Sequence, residues 1–522
     1  MKKSIEIYDT TLRDGAQQPG ICFSAHDKLR IVEQLDSFGV DFIELGWPGS
    51  NDTDTQVFKA VKNIRLKTAK IVAFGMTCQK ELKPENDRQL AALLDAGTEF
   101  ITIVGKTSSW HVEKTLGITL KENLRLIRES CRFLERSGRK VFFDAEHFFD
   151  GYKTDREYAT ECIYAAFSAG ASRIILCDTK GGSLPQEIGS IVASVKEECP
   201  SARLGIHAHN DGELAVANSL AAVSAGADQV QVTINGYGER CGNANLCSVV
   251  PGLRIKMGLP CVLDKSMPQL SSLAHFVAEV ANLSFEPRQP YVGGRAFHHK
   301  AGLHASAISK QPESYNHINP ELVGNTSSVV VSELSGRSNI LSKAKDFGIH
   351  LSPDQAVNVL AQVKILENQG FQLDGADGFL KLLMKRQADG YRKPFQILDR
   401  DVRSKRSGET SVESAIVKVK INNSLRALAH EVAEGDGPVN ALDNALRKAL
   451  EPHFPCLRKI KLSDYKVRVL PGKQGTAKAV RVLIDFSDGN KEWTMVGCST
   501  DLIEASLQAL VCGFEFAILA NF

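Results

Sequence analysis

The sequence predicts an α/β protein: a (β/α)8 barrel, a helical region after it, and a small α+β domain at the end. Three observations carry that prediction. Eight short β-branched runs alternate with helical stretches over the first 240 residues, glycines fall where the helices should stop, and the pattern changes to alternating strands near the C-terminus. Eight such units in about 250 residues is the size of a closed parallel barrel, with a doubly wound open sheet as the alternative.

The runs are Ile5 to Asp9, Phe42 to Gly46, Ile71 to Gly75, Phe100 to Gly105, Val141 to Glu146, Ile174 to Asp178, Leu204 to His209 and Gln229 to Asn235. Ser24 with Asp27 reads as a capping box ahead of Leu29, Val32 and Leu35, since each residue can satisfy a free backbone N–H of the other. Gly39, Gly97, Gly138, Gly170 and Gly226 sit where a left-handed residue ends a helix. The barrel is expected to occupy residues 1–270, a helical linker 271–408 and the last domain 409–522.

In the linker, residues 381–406 are rich in basic side chains, among them Lys385, Arg386, Arg392, Lys393, Arg403, Lys405 and Arg406, and read as a solvated connection. Beyond it, Val417, Val419 and Ile421 alternate with lysines, and Val480, Val482, Ile484 and Phe486 alternate in turn. Pro438 opens one helix and Ser499 caps a last one. Two strands and a helix followed by three strands and a helix suggest an internal repeat.

The 522 residues carry 63 Lys and Arg against 61 Asp and Glu, a net charge of +2, with 43% hydrophobic residues. That balance excludes an acidic disordered chain and a phosphate-steered nucleic-acid binder. The N-terminus has no apolar signal-peptide core, and no later stretch reads as the roughly 18 apolar residues of a bilayer span. The 12 cysteines are scattered with no CxxC pair. A cytoplasmic protein without membrane or nucleic-acid partners is expected.

Barrel chemistry sits at the C-terminal strand ends, and these ends are polar: Asp9 to Asp14, Glu44, Lys106, Asp144 with Glu146 and His147, Asp178 with Thr179, His207 with His209, and Asn235 to Asn243. The period of two puts His207 and His209 on one face of their strand. Two inward imidazoles beside carboxylates repel if protonated and pack poorly if unpaired, and a divalent cation removes both problems. Spacing leaves the third ligand open among Asp9, Asp14, Asp144, Glu146 and Asp178. Zn²⁺, Mn²⁺ and Mg²⁺ all suit such a set, the nitrogens favouring the first two. The Gly236–Asn243 loop has the wrong glycine spacing for a dinucleotide site, and Asn243 becomes a metal neighbour once a barrel closes. With Asp14 on the metal, Arg13 stands where a carbonyl oxygen gains charge.

Asp9-Thr10-Thr11-Leu12-Arg13-Asp14-Gly15-Ala16-Gln17, His207-Ala208-His209-Asn210-Asp211 and Gly236-Tyr237-Gly238-Glu239-Arg240-Cys241-Gly242-Asn243 together resemble the acyl-CoA Claisen-condensing synthases of the DRE-TIM metallolyase superfamily, which contains 2-isopropylmalate, homocitrate and citramalate synthases. The likeness extends through Gly302 to Ala305, Tyr315 to Asn325 and the C-terminal domain. It implies Asp14, His207 and His209 as metal ligands with Asn243 close by, Arg13 on the keto oxygen, and Thr179 on the carboxylate of a 2-oxo acid. Glu146, His304 and Tyr315 look like the acid/base group around the acetyl methyl of acetyl-CoA. The segment carrying His304 and Tyr315 would cover the partner subunit's site, which implies a homodimer. The last domain looks like this family's regulatory domain, bound by the pathway's end-product amino acid.

Ala16, where the isopropylmalate and homocitrate forms usually carry Glu, the Glu44 to Asn51 stretch and the Asp144 to Tyr152 stretch resemble the citramalate branch. That branch implies pyruvate as substrate and isoleucine as effector. Two other readings are a lyase running the reverse cleavage and an amino-acid sensor with a disused barrel. The lyases are usually single barrels with a different cysteine loop, and a sensor would be expected to have a broken ligand set.

Overall fold

A computed structural model of the chain describes residues 4–299, 307–308, 311–329, 331, 335–407, 410–422, 428–470, 478–489 and 491–520. It divides into two compact units, Met1–Phe297 with Ile318–Ser327, and His298–His317 with Ser328–Phe522.

In the first unit β1 (Glu6–Asp9), β2 (Phe42–Gly46), β3 (Lys70–Met76), β4 (Phe100–Lys106), β5 (Lys140–Glu146), β6 (Arg173–Asp178), β7 (Leu204–Ala208) and β8 (Gln229–Val232) form a closed barrel in sequence order. All pairings are parallel, and β1 closes on β8 through Glu6 opposite Gln229. The expected helix signals act as read. Ser24 and Asp27 cap the helix Ala25–Phe38 reciprocally, and Gly39 stops it at φ +94°.

The strands bury both faces, so they do not alternate in polarity. Tyr8, Phe42, Val72, Phe100, Phe142, Ile175 and Cys177 make one cluster inside the barrel. Ile7, Ile43, Ala73, Ile101, Phe143 and Leu176 pack outward against the helices. Phe42 anchors the inner cluster, its ring edge-on to Phe100 at 5.0 Å and to Phe142 at 5.2 Å. Because side chains alternate along a strand, this phase decides which acids can reach the barrel mouth. Glu44, Asp144 and Glu146 share the inner face with Phe42 and Phe142. Asp9 and Asp178 are one residue out of phase and turn toward the surrounding shell.

In the second unit β9 (Phe395–Ser407), β10 (Thr410–Ile421) and β11 (Leu428–Gly435) form one antiparallel sheet, and β12 (Lys461–Val469), β13 (Val480–Ser487) and β14 (Glu492–Ser499) another. Each is followed or covered by a helix, Pro438–Leu450 and Leu502–Ala520. The internal repeat is therefore three strands and a helix, twice. The basic run 381–406 is not a solvated linker, because Asp377–Gln387 is helical and Phe395–Ser407 is the third strand of the first sheet. A ladder uses backbone groups only, so charged side chains can project outward from it. Arg400 there meets Glu504 at 2.6 Å and Arg386 meets Glu515 at 2.6 Å.

Among the described residues the helix Leu502–Ala520 is long and apolar enough to cross a membrane by length and composition, although Glu504 and Glu515 keep it from being an uncharged stretch of the length expected for a span. It is a core helix here. Ala505, Leu510, Phe514 and Ile518 are buried in the second unit's core.

Candidate metal centre and active site

β7 ends at Ala208, and His209 continues its line through an isolated bridge to Asn243. The loop after β8 folds back along it, with Asn210 N donating to Gly242 O at 2.8 Å and Ala244 N to Ala208 O at 3.0 Å. That return needs glycine twice. A Cβ on Gly242 would stand 1.9 Å from Gly236 O, and one on Gly238 would stand 2.1 Å from Asn243 Oδ1.

Three groups converge at the mouth. His207 Nε2 and His209 Nε2 lie 3.1 Å apart, and Asp14 Oδ2 is 3.4 Å from the first and 3.9 Å from the second. All three residues are buried. Among the described residues Asp14, His207 and His209 form the one group of three or more His, Cys, Asp or Glu placed to hold a metal ion. Asn243 Nδ2 donates to Asp14 Oδ2 at 2.8 Å, while its buried Oδ1 has no hydrogen-bond partner among the described residues.

The other acids are occupied elsewhere. Asp9 accepts from Thr11 N and Thr11 Oγ1, both at 3.0 Å. Asp178 accepts from Ser183 and from Asn218 Nδ2. Asp144 accepts from Gln231 Nε2 at 3.0 Å, and Glu146 pairs with Lys106 Nζ at 2.6 Å.

Electrostatics suits a cation. Burial works against the charge of Asp14, but the Arg13 guanidinium and then the two imidazoles outweigh it and hold the carboxyl down at about 2. Burial lowers His207, and burial with the neighbouring imidazole lowers His209 to about 4. An ionised carboxylate and two neutral imidazoles are the states a divalent ion requires. Two imidazole nitrogens facing each other and an unpartnered amide oxygen beside them fit a metal better than they fit a closed hydrogen-bond network.

Arg13 is fixed on three sides. Its Nε donates to Glu44 Oε2 at 2.6 Å, its Cζ lies 3.8 Å from the centre of the Phe74 ring, and Nη1 is 3.7 Å from Asp14. Glu44 is fully buried and also accepts from Tyr8 OH and Thr10 Oγ1, each at 2.5 Å. Burial opposes the charge of Arg13, yet Glu44 and Asp14 raise its affinity for the proton above that of a free guanidinium.

Thr179 follows β6 and its Oγ1 accepts the backbone N–H of His147 at 2.8 Å. Glu146 ends β5, a quarter exposed. Tyr315 belongs to the second unit, where its ring is 6.4 Å from that of His299. His304 lies outside the described residues. Glu44, Phe74 and Gln231 act here in ways that residue type and spacing do not announce. Their shared inward phase with Asp144 and His207 is the signal that finds them.

The HMGL-like family model matches residues 4–275, the model described as homocitrate synthase post-HMGL domain-like matches 291–370, and the LeuA allosteric (dimerisation) domain matches 374–518. The chain is 49% identical over 518 residues to the (R)-citramalate synthase of Geobacter sulfurreducens, covering 98% of this chain and 97% of that one. It is 46% identical over 515 residues to the (R)-citramalate synthase of Aquifex aeolicus, covering 98% and 97%. Similarity to the 2-isopropylmalate synthase of Methanocaldococcus jannaschii is lower, 30% over 515 residues, 98% of this chain and 94% of that one.

Proposed function

Since the chain belongs to the HMGL-like family and, along almost its whole length, to the (R)-citramalate synthases within it, we propose that the barrel mouth condenses acetyl-CoA with pyruvate to give citramalate and CoA. The observation that carries this reading is the convergence of Asp14, His207 and His209 beside a guanidinium fixed by Glu44 and Phe74.

Asp14, His207 and His209 would hold the divalent ion with Asn243 beside them, Zn²⁺ or Mn²⁺ suiting the nitrogens better than Mg²⁺. Bound there, it supplies Lewis acidity toward the oxygens of a 2-oxo acid. Arg13 orients the keto group and offers its guanidinium to the oxygen that takes up the electron pair when the carbon–carbon bond forms. Thr179 binds the carboxylate of pyruvate. Glu146, with His304 and Tyr315, removes a methyl proton of the acetyl group, so that this carbon can attack the keto carbon. The oxygen that gained the electron pair takes up the proton removed from the methyl group, and water then splits the thioester C–S bond, its OH going to the acyl carbon and its remaining proton to the sulfur, to release citramalate and CoA.

The match to a dimerisation domain and the half-exposed Leu398, Val412, Leu428, Val432, Val467 and Val469 on its strands support a homodimer. The same domain would take isoleucine as inhibitor, and the route served is the one from pyruvate to isoleucine. The test is a panel of 2-oxo acids with acetyl-CoA and a thiol reagent, run with and without chelator. Thiol release is expected to be greatest with pyruvate and to stop with chelator. Greater turnover of 2-oxoisovalerate or 2-oxoglutarate overturns the substrate, and undiminished turnover in chelator overturns the metal.

A further inference from the structure

Only one of the two converging imidazoles has its far nitrogen engaged. His207 Nδ1 is 2.7 Å from Gln231 Oε1, whereas His209 Nδ1 is buried with no hydrogen-bond partner among the described residues. Gln231 reaches in turn from β8 to Asp144 on β5, its Nε2 donating to Asp144 Oδ1 at 3.0 Å. His207, Gln231 and Asp144 are all less than a tenth exposed, so water does not substitute for any member of the chain.

A primary amide can turn either end toward a neighbour, and the imidazole ring can carry its proton on either nitrogen. Gln231 turns its NH₂ end to Asp144 Oδ1 and its carbonyl to His207 Nδ1. A carbonyl only accepts, so the His207 proton sits on Nδ1. Nε2 is then left with its lone pair aimed toward Asp14 and His209.

We infer that Gln231, oriented by Asp144, is a positioning residue that sets the tautomer of His207 and so presents its Nε2 to a divalent ion. The direction of the chain originates in the inward phase of β5 and β8, which bring Asp144 and Gln231 together across the barrel. The inference rests on the metal reading above for its consequence, though the tautomer itself is a property of the metal-free protein.

The experiment compares the full chain with Gln231→Leu and Asp144→Leu, which offers Gln231 no acceptor, each labelled with ¹⁵N at histidine and stripped of metal. The His207 resonance is assigned by its absence from a His207→Gln protein. The parent is expected to show a His207 ring protonated on Nδ1, and both variants to lose that single pattern. Their zinc affinity by calorimetry should fall about ten- to a hundredfold, the usual effect of removing a partner of a ligating histidine, with the circular dichroism spectrum kept. A parent ring protonated on Nε2 overturns the inference, as does a folded variant that keeps both the Nδ1–H pattern and the parental zinc affinity. If Gln231→Leu does not fold, Asp144→Leu decides by the same two readings. A parent that binds no zinc sinks the metal reading alone, because the tautomer is still measured.

Discussion

Replacing Glu44 by Gln removes one charge from the centre of the mouth while leaving its volume unchanged. Three donors point at this carboxylate: Tyr8 OH at Oε1, and Thr10 Oγ1 and Arg13 Nε at Oε2. A glutamine offers one accepting oxygen, so either Tyr8 or the Thr10–Arg13 pair must face an NH₂ group. Losing one partner of a buried ion pair costs about 3–5 kcal/mol. Arg13 keeps Asp14 at 3.7 Å and is itself 13% exposed, which places the expected loss at the lower end, about 3 kcal/mol. The same change frees the guanidinium to swing off the keto oxygen. Removing one fixed donor to a developing oxyanion costs about 10² to 10³ in turnover, so kcat should fall at least about a hundredfold, with pyruvate KM changing much less. Urea unfolding gives the first quantity and steady-state thiol release the second. A folded Glu44→Gln protein whose kcat stays within about threefold of the parent, a barrier change under about 1 kcal/mol, would refute the claim that Glu44 aims Arg13.

Two further outcomes follow from the geometry. In Gly238→Ala the added methyl would meet Asn243 Oδ1 at 2.1 Å, so Asn243 must leave Asp14. Zinc affinity by calorimetry should drop about tenfold, as for other losses of a ligand's supporting partner, and an unchanged affinity would show that Asn243 does not matter there. Asp41, far from the mouth, accepts from Ile7 N at 2.8 Å, yet burial raises its carboxyl from 3.8 to about 6. The folded state therefore binds this proton more tightly than the unfolded chain, and its contribution, present below pH 4, is lost as pH rises to about 6. Asp41→Asn can still accept from Ile7 and should be more stable than the parent at pH 7 by at most about 3 kcal/mol, the gain vanishing at pH 4. Equal urea midpoints at pH 7 would contradict that sign.

The barrel was readable because its signals are local. β-Branched runs, the Ser24–Asp27 cap and the glycine stops each act within a few residues of chain, and all agree. The paired imidazoles were readable for the same reason, since two residues two apart on a strand share a face whatever the strand packs against. The third strand of the first C-terminal sheet was not readable. Its basic residues look like a solvated linker, but the backbone that carries them pairs with Thr410–Ile421, a partner that charge pattern does not reveal. The helix Leu502–Ala520 was readable from its apolar spacing, and the two acids that interrupt its apolar run, Glu504 and Glu515, are answered by Arg400 and Arg386.

The amino-acid order alone determined that eight strands alternate with helices, that His207 and His209 point the same way, and that Arg13 and Asp14 follow the first strand. Only the closed barrel decided which acids join them. Both faces of each strand are buried, so polarity along the chain carries no record of which face is inside, and Asp9 and Asp144 look alike until Tyr8 and Phe142 declare the phase. The links from Glu44 to Arg13 and from Asp144 through Gln231 to His207 span 31, 87 and 24 residues of sequence. Contacts of that length exist only where the ring of strands brings distant side chains to one dry centre.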